Sequence, residues 1–364
     1  MSRWQWIINH GIQGENNVST PRKDCFMNAE TKQNRAYHLE KFGGLDGLVN
    51  GAIAIPTPAS GEVVVRVRAS SLNFRDILIL QGHYTAPVPS GTIPLSDGAG
   101  EVIAVGEGVT RFVTGDRVVN SFFPEWIDGP FTGKYSQYSY DVDGWLADYR
   151  VTSENALAHI PGSLSFEEAA TLPCAAVTAW SAVKGVSAGD TVLTQGTGGV
   201  SLFAIQFAKA LGARVIATTS SDEKSEQLKL LGVADIINYK THPAWSQQVR
   251  ALTNGNGVNR IVEVGGSGTF QESVKAIAVG GQVSMVGVLA GLEGSVDFMS
   301  MFMSQARYQP IALGSRQDLE DLIAGIAAHG ISPVIDSRFE FGDAKRAYEK
   351  LMTRDVFGKV VISH

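Results

Sequence analysis

The sequence predicts an α/β protein in which a small antiparallel barrel precedes a doubly wound parallel sheet of six strands. Three observations carry that expectation. Short β-branched segments separated by glycine fill residues 35–160, a glycine turn joins a strand to an apolar helix at residues 191–211, and strands and helices then alternate to about residue 314. At 364 residues the chain has room for about two domains with real cores.

Trp4-Gln5-Trp6-Ile7-Ile8 is too short for a signal peptide, and polar His10–Arg22 follows without a cleavage pattern. Residues 1–26 are therefore expected to be a poorly ordered extension or an upstream mis-start, with Met27 opening the fold. Gly61–Arg68 partly alternates, as a half-buried strand does. Gly100–Gly108 runs as a strand into a tight turn, and Gly115-Asp116 turns the chain before Arg117-Val118-Val119. Such short, turn-bounded strands suit a strongly coiled barrel. After Ile160-Pro161-Gly162, Ser165-Phe166-Glu167-Glu168 begins a helix with a cap and acids in its first turn. The parallel strands are expected at 191–195, 214–218, 235–237, 260–264, 282–286 and 310–314. Two βαβαβ halves supply that number. A helix at 317–329 and a strand–helix–strand run over 333–364 complete the chain.

Residues 191–219 carry the clearest chemistry. The strand Thr191–Thr194 enters Gly196-Thr197-Gly198-Gly199, an apolar helix pattern runs to Leu211, Gly212 stops it, and Arg214–Thr218 is a second strand. Gly196 and Gly198 allow the tight turn and the close backbone approach that a pyrophosphate needs. The amides of Thr197, Gly198, Gly199 and Val200 then face the anion at the positive end of the helix. Ser201 stands where the third glycine of G-x-G-x-x-G falls, and it is small enough to keep helix and strand close. A glycine trio alone can be a plain turn. Its strand–turn–helix–strand setting points to a bound dinucleotide.

Totals exclude other classes. Thirty basic against 36 acidic residues give −6, which argues against broad nucleic-acid or anionic-membrane binding. No apolar run reaches the ~18 residues that span a bilayer. The two cysteines, Cys25 and Cys174, permit neither a disulfide framework nor an all-cysteine zinc site, and a reducing cytoplasmic setting is expected.

The marks Ser71–Asp76, Gly82-His83-Tyr84, Gly100-Glu101-Val102, Gly115–Val118, Ala170–Pro173, Leu193–Val200, Gly280-Gly281 and Gly358–Val361 occur in order. With them the chain, from Ala36 to Ile362, resembles the medium-chain dehydrogenase/reductase superfamily, in its zinc-free quinone-oxidoreductase-like branch. The resemblance implies a GroES-like catalytic domain of residues 27–160 and 330–364, with an NADP-binding Rossmann domain of residues 161–329 inserted in it.

Zinc-using members of that superfamily hold a catalytic metal through a cysteine, a His-Glu pair and a second cysteine. Here Asn73 takes the first place, Ser96-Asp97 replaces the pair, and Pro173 or Cys174 falls near the third. Catalytic zinc wants about three N, S or O protein donors, and Asp97 with Cys174 supplies at most two. No metal is expected, and Cys174 reads as a packing residue.

A site that prefers NAD ends its second strand with an acid. This one ends Thr218-Thr219-Ser220-Ser221. Hydroxyls and a cation suit an adenosine 2′-phosphate, and Ser220, Lys224 and Tyr239 match the positions that do this in the family's NADPH users. For Lys224 the competing reading is a solvated helix lysine. Asp222 and Glu223 act as helix-start acids. Thr178 resembles a position that touches the nicotinamide amide, and Gly265-Gly266 and Gly287-Val288 end the fourth and fifth strands, where a doubly wound sheet holds its ligand.

Hydride delivery leaves negative charge on the acceptor's oxygen, which without a metal must meet hydrogen-bond donors. Asn73 and Tyr84 are the candidates; loop shaping for Asn73 and aromatic packing for Tyr84 compete. Asp76 is expected in a structural role, orienting neighbours or pairing with Arg75. Phe122, Phe123, Trp126 and Phe131 form either an apolar substrate wall or a packed loop. The expected activity is NADPH-dependent, metal-independent reduction of quinones or enones. An alcohol dehydrogenase or carbonyl reductase on the same scaffold and a non-catalytic NADPH-binding protein are the rivals. The resemblance implies a homodimer or homotetramer, with Val283–Val288 and Phe298–Met303 read either as contact segments or as a bound loop.

Overall fold

The computed structural model describes residues 33–291 and 293–364, so the extension expected at residues 1–26 lies outside the described residues. The first part contains β1 (Asn34–Leu39), β2 (Leu48–Ile53), β3 (Glu62–Leu72), α1 (Phe74–Leu80), β4 (Asp97–Val105), β5 (Arg117–Asn120), β6 (Tyr149–Ser153) and β7 (Leu157–His159). Helices α2 (Phe166–Ala170) and α3 (Val177–Val183) lead onward. Next come β8 (Thr191–Gln195), α4 (Gly199–Ala210), β9 (Arg214–Thr219), α5 (Asp222–Leu230), β10 (Asp235–Asn238) and α6 (Trp245–Leu252). Then follow β11 (Val258–Glu263), α7 (Ser267–Ala276), β12 (Ile277–Met285), α8 (Phe298–Ser304), β13 (Arg307–Pro310) and α9 (Arg316–His329). The chain closes with β14 (Ile335–Glu340), α10 (Ala344–Met352) and β15 (Lys359–Ser363).

The strands β8 to β13 form one parallel sheet in the order β10-β9-β8-β11-β12-β13. The order in which successive strands are added reverses between β8 and β11, and a doubly wound sheet opens its ligand crevice at that point. Alternation along each strand feeds two cores. Val192, Val215 and Val262 face Phe203, Phe207 and Leu319. Leu193, Ile216 and Ile261 face Trp245, Val249 and Val274 on the other side.

The second sheet has the order β14-β15-β3-β4-β5-β7, with β6 also on β3. It is antiparallel except for the β14–β15 pair. Because β15 pairs with β3, the last strand of the chain reaches the first part of the molecule.

Two strand limits differ from expectation. The sixth parallel strand is Arg307–Pro310, not 310–314. Ile311 N–H still donates to Met285 O at 2.9 Å, and Leu313 then turns away with φ 66° to join an aromatic cluster. Strand β12 starts early, and its register jumps from Val258↔Ile277 to Arg260↔Gln282 around Gly280, whose φ is 75°. The closing helix agrees with its pattern: Ser315 caps α9 through Asp318 N–H, and Gly330 ends it in the left-handed region.

Candidate active site

Strand β8 delivers the chain to the glycine turn. Gly196 has φ 72°, and a Cβ added at Gly196 or Gly198 would meet nothing within 4 Å. The turn is thus open on the side where a Cβ would project. Gly198 caps α4, whose first N–H groups have no partner within the helix. Ser201 is buried and donates its hydroxyl to Gln195 O at 2.6 Å, so the residue in place of the third glycine ties the helix to the strand. Beneath the turn, Gly358 N–H donates to Thr197 O at 3.0 Å, and a Cβ on Gly199 would come within 2.6 Å of Lys359 Cδ.

The second strand ends beside Ser220, which is half-buried. Ser221 caps α5 by accepting from Lys224 N–H. Tyr239 N–H donates to Thr219 O at 3.0 Å, which brings exposed Tyr239 to the same end of the sheet as Ser220. Lys224 is not a solvated helix lysine: its ammonium lies 3.0 Å from Asp355 Oδ1. Asp222 accepts from Asn238 Nδ2 at 3.1 Å, a local role for one of the two helix-start acids.

At the strand switch, buried Glu263 organises two loops. Its carboxylate accepts from Gly265 N–H at 2.8 Å, Gly266 N–H at 3.1 Å, Thr269 Oγ1 at 2.5 Å and Gln195 Nε2 at 2.7 Å, and also from Ser273. The same residue therefore holds the loop after β11 and the last residue before the glycine turn. Gly287 packs so closely that a Cβ would lie 2.4 Å from Val264 O, while Val288 is exposed.

A second polar cluster, largely buried, surrounds Asn73. Asn73 precedes α1, and its Nδ2 donates to Asp97 Oδ2 at 2.8 Å while its Oδ1 accepts from Lys359 Nζ at 2.5 Å. Ser71 and Ser96 donate to the same carboxylate, at 3.2 and 2.8 Å. Arg75 is sandwiched between the rings of Tyr84 and Phe122, each centroid 4.9 Å away. It donates to Tyr138 O at 3.1 Å and lies 3.8 Å from Asp76. The Tyr84 hydroxyl donates to Gln137 Oε1 at 3.0 Å, so its proton is already engaged.

Between α2 and α3, Leu172–Ala176 forms a π-helical turn, a distortion that often marks functional sites. Thr178 Oγ1 donates back to Cys174 O at 2.6 Å, which leaves its oxygen lone pairs to accept. Burial raises the Cys174 thiol pKa well above its ordinary value, with Asp97 adding to the effect. Cys174 packs against Phe122, Phe123 and Trp126, with Tyr135 stacked 5.7 Å from Trp126. The first three aromatics are buried as packed core, and Phe131 alone of the expected wall is exposed.

The geometry can be set against known proteins. Residues 59–162 match the alcohol dehydrogenase GroES-like domain, and residues 199–328 match a zinc-binding dehydrogenase domain. A zinc-type alcohol dehydrogenase-like protein of Schizosaccharomyces pombe is 42% identical, covering 89% of this chain and 97% of its own. This chain belongs to the medium-chain dehydrogenase/reductase superfamily. A quinone oxidoreductase of Pseudomonas aeruginosa is 33% identical over 88% of this chain and 97% of its own. The structure of an NAD-dependent alcohol dehydrogenase superposes with a TM-score of 0.84 at 35% identity, covering 91% of this chain and 99% of that one.

Within the superfamily, the barrel domain and the six-stranded Rossmann sheet are thus established for this chain, as is its class, an oxidoreductase. Four residues that the sequence left unassigned, or known only as parts of motifs, turn out to hold the site: Lys359, Gln137, Gln195 and Glu263. Lys359 had one visible signal, a charged residue opening the otherwise apolar strand Lys359–Ser363. Among the described residues, no three or more His, Cys, Asp and Glu side chains converge as metal ligands would. No helix among them is long and apolar enough to cross a membrane.

Proposed function

We propose that this chain is an NADPH-dependent, metal-independent reductase of quinones or α,β-unsaturated carbonyls. One observation carries the reading: an amide, Asn73, is fixed between a buried ammonium and a buried carboxylate, with one hydrogen of its Nδ2 left over. That donor set does not fit a catalytic zinc. Asp97 is taken up by three hydrogen bonds and faces a cation, and the Asn73 amide beside it is a poor zinc ligand.

When bound, the reduced nicotinamide supplies the hydride. The residues of this chain do the rest. The amides of Thr197, Gly198, Gly199 and Val200 hold the pyrophosphate, and Ser220, Lys224 and Tyr239 hold the 2′-phosphate. Thr178, Gly265, Gly287 and Val288 line the nicotinamide end. Asn73 donates to the acceptor oxygen as it gains charge. Tyr84 joins it by exchanging its bond to Gln137 for one to substrate. Such preorganised donors are worth ~3 kcal/mol each in a water-poor site. The catalytic domain is residues 27–160 and 330–364 and the nucleotide domain residues 161–329.

The second reading is an alcohol dehydrogenase or carbonyl reductase. The zinc-type name of the S. pombe relative and the NAD dependence of the superposed structure favour it. Metal analysis of purified protein, with turnover measured on quinones, enones, aldehydes and ethanol using NADPH and NADH, separates the readings. The proposal expects no stoichiometric metal and NADPH oxidation by quinone or enone; bound zinc with ethanol oxidation refutes it. NADPH binding with no turnover on any of these would leave a non-catalytic nucleotide-binding protein.

A further inference from the structure

The mechanism above gives the buried ammonium beside Asn73 no stated function of its own. Lys359 opens β15 and is 3% exposed, and Asp97 is fully buried. A lysine in such a place must be paired or lose its charge. Its Nζ donates to Leu72 O at 2.6 Å and to Asn73 Oδ1 at 2.5 Å, and lies 3.7 Å from Asp97 Oδ2. With the bond from Asn73 Nδ2 to Asp97, the three side chains close a ring: ammonium to amide oxygen, amide nitrogen to carboxylate, carboxylate to ammonium.

An uncharged amide has two near-equivalent orientations, differing by exchange of its oxygen and nitrogen. The ring selects one. The oxygen must face the cation and the nitrogen the anion, since either exchange sets like against like. The stem of Lys359 also fills the space that a Cβ on Gly199 would need, so the lysine runs under the turn that cradles the phosphates.

We propose that Lys359 is the positioning residue of Asn73: paired with Asp97, it locks the amide with its second Nδ2 hydrogen free for the acceptor oxygen. A protein cation here supports the donor that a metal would otherwise replace. The inference rests on the reading of Asn73 as that donor, and it gives Lys359 no contact with substrate.

The test compares Lys359→Met, Lys359→Arg, Asn73→Ala, the double variant Asn73→Ala/Lys359→Met, and Lys359→Met/Asp97→Asn. This last removes both buried charges, so a folding defect from an unpaired carboxylate does not obscure the result. Turnover is read with NADPH and a quinone, NADPH affinity by fluorescence titration, and solvent exchange of the Asn73 side-chain amide by NMR on asparagine-labelled protein. Lys359→Met and Lys359→Met/Asp97→Asn should each lower kcat by at least about tenfold, leave NADPH affinity within about threefold, and speed the Asn73 exchange. Lys359→Arg should recover part of the rate. On the Asn73→Ala background Lys359→Met should cost nothing further.

Additive losses in the double variant, or a protected Asn73 amide in Lys359→Met, overturn the proposal. So does a large loss of NADPH affinity at unchanged kcat, which would assign the lysine to the cofactor's phosphates. Wild-type turnover in Asn73→Ala sinks both this inference and the role of Asn73. A slow Asn73→Ala with additive losses sinks the inference alone. Should the wild type turn over none of the substrates, the exchange measurement still decides.

Discussion

Lys224 Nζ lies 3.0 Å from Asp355 Oδ1, an ion pair joining the helix after the second Rossmann strand to the loop that leads into β15. The lysine side chain is 15% exposed and the aspartate 81%. An exposed carboxylate thus holds the cation at the place proposed for a 2′-phosphate, and a bound phosphate must displace it. Lys224→Ala should weaken NADPH by roughly 1–3 kcal/mol, the scale of a charge-assisted bond, with NADH nearly unchanged. Asp355→Asn should shift selectivity the other way, tightening NADPH relative to NADH by a few-fold. Fluorescence titrations with both cofactors read the two ratios. Equal losses for both cofactors in Lys224→Ala would detach the lysine from the 2′-phosphate.

Gly198 offers a way to separate binding from folding. Its φ is −77° and its ψ 172°, values any residue adopts, and a Cβ there meets nothing within 4 Å. Gly198→Val should therefore leave the thermal midpoint within about 2 °C while reducing NADPH affinity by well over tenfold, since its methyls fill the approach of the pyrophosphate. Gly199→Ala, whose Cβ would sit 2.6 Å from Lys359 Cδ, should lower the midpoint instead. Unchanged affinity in Gly198→Val would show that the turn does not cradle the cofactor.

The parallel sheet was legible because every strand but the edge strand β13 carries β-branched residues and is bounded by turn residues, and because Gly196 and Gly198 occupy a recognisable strand-to-helix junction. Its edge was not. Arg307-Tyr308-Gln309-Pro310 carries little apolar pattern, while Ile311-Ala312-Leu313 reads more like a strand and instead turns into the aromatic cluster. Individual site residues were visible as donors or ligands, but their partners were not. Lys359 reaches Asn73 across 286 residues and Tyr84 reaches Gln137 across 53, and no local periodicity encodes contacts of that range. Lys224 likewise meets its aspartate only after the chain returns through β14 and α10. Charge identity is local, whereas charge pairing belongs to the fold.

Asp76 supplies a pH dependence. Its Oδ2 accepts from Asn73 N–H at 2.7 Å, and its buried Oδ1 has no hydrogen-bond partner among the described residues. Burial pushes its carboxyl up to about 6 from 3.8, with Arg75 opposing. The folded state then holds the proton more tightly than the unfolded one. That contribution is complete below about pH 4 and is lost as pH rises through about 6, by roughly 3 kcal/mol if the whole shift is realised. Asp76→Asn cannot ionise and keeps the acceptor for Asn73 N–H. Denaturant unfolding at pH 4, 5, 6 and 7 should show the wild type losing stability relative to Asp76→Asn across this range. Parallel curves would mean that Asp76 is not strained by its charge.

The oligomer expected from the sequence would have a testable seat. Strand β13 ends the six-strand order, so among the described residues its outer edge has no partner strand. Beside it, α8 exposes Phe298, Met299, Phe302 and Met303 at 76, 62, 60 and 65%. Four large apolar side chains together in water, next to an unpaired edge, form a surface that a second copy of this chain would cover. Phe302→Glu/Met303→Glu places two like charges across that contact and should reduce the mass seen by light scattering to one chain, about 39 kDa. NADPH affinity should stay within twofold, because neither residue belongs to the proposed cofactor site. A wild type that is already monomeric at micromolar concentration, or a double variant that keeps its assembled mass, would place the contact elsewhere and leave this apolar face unexplained.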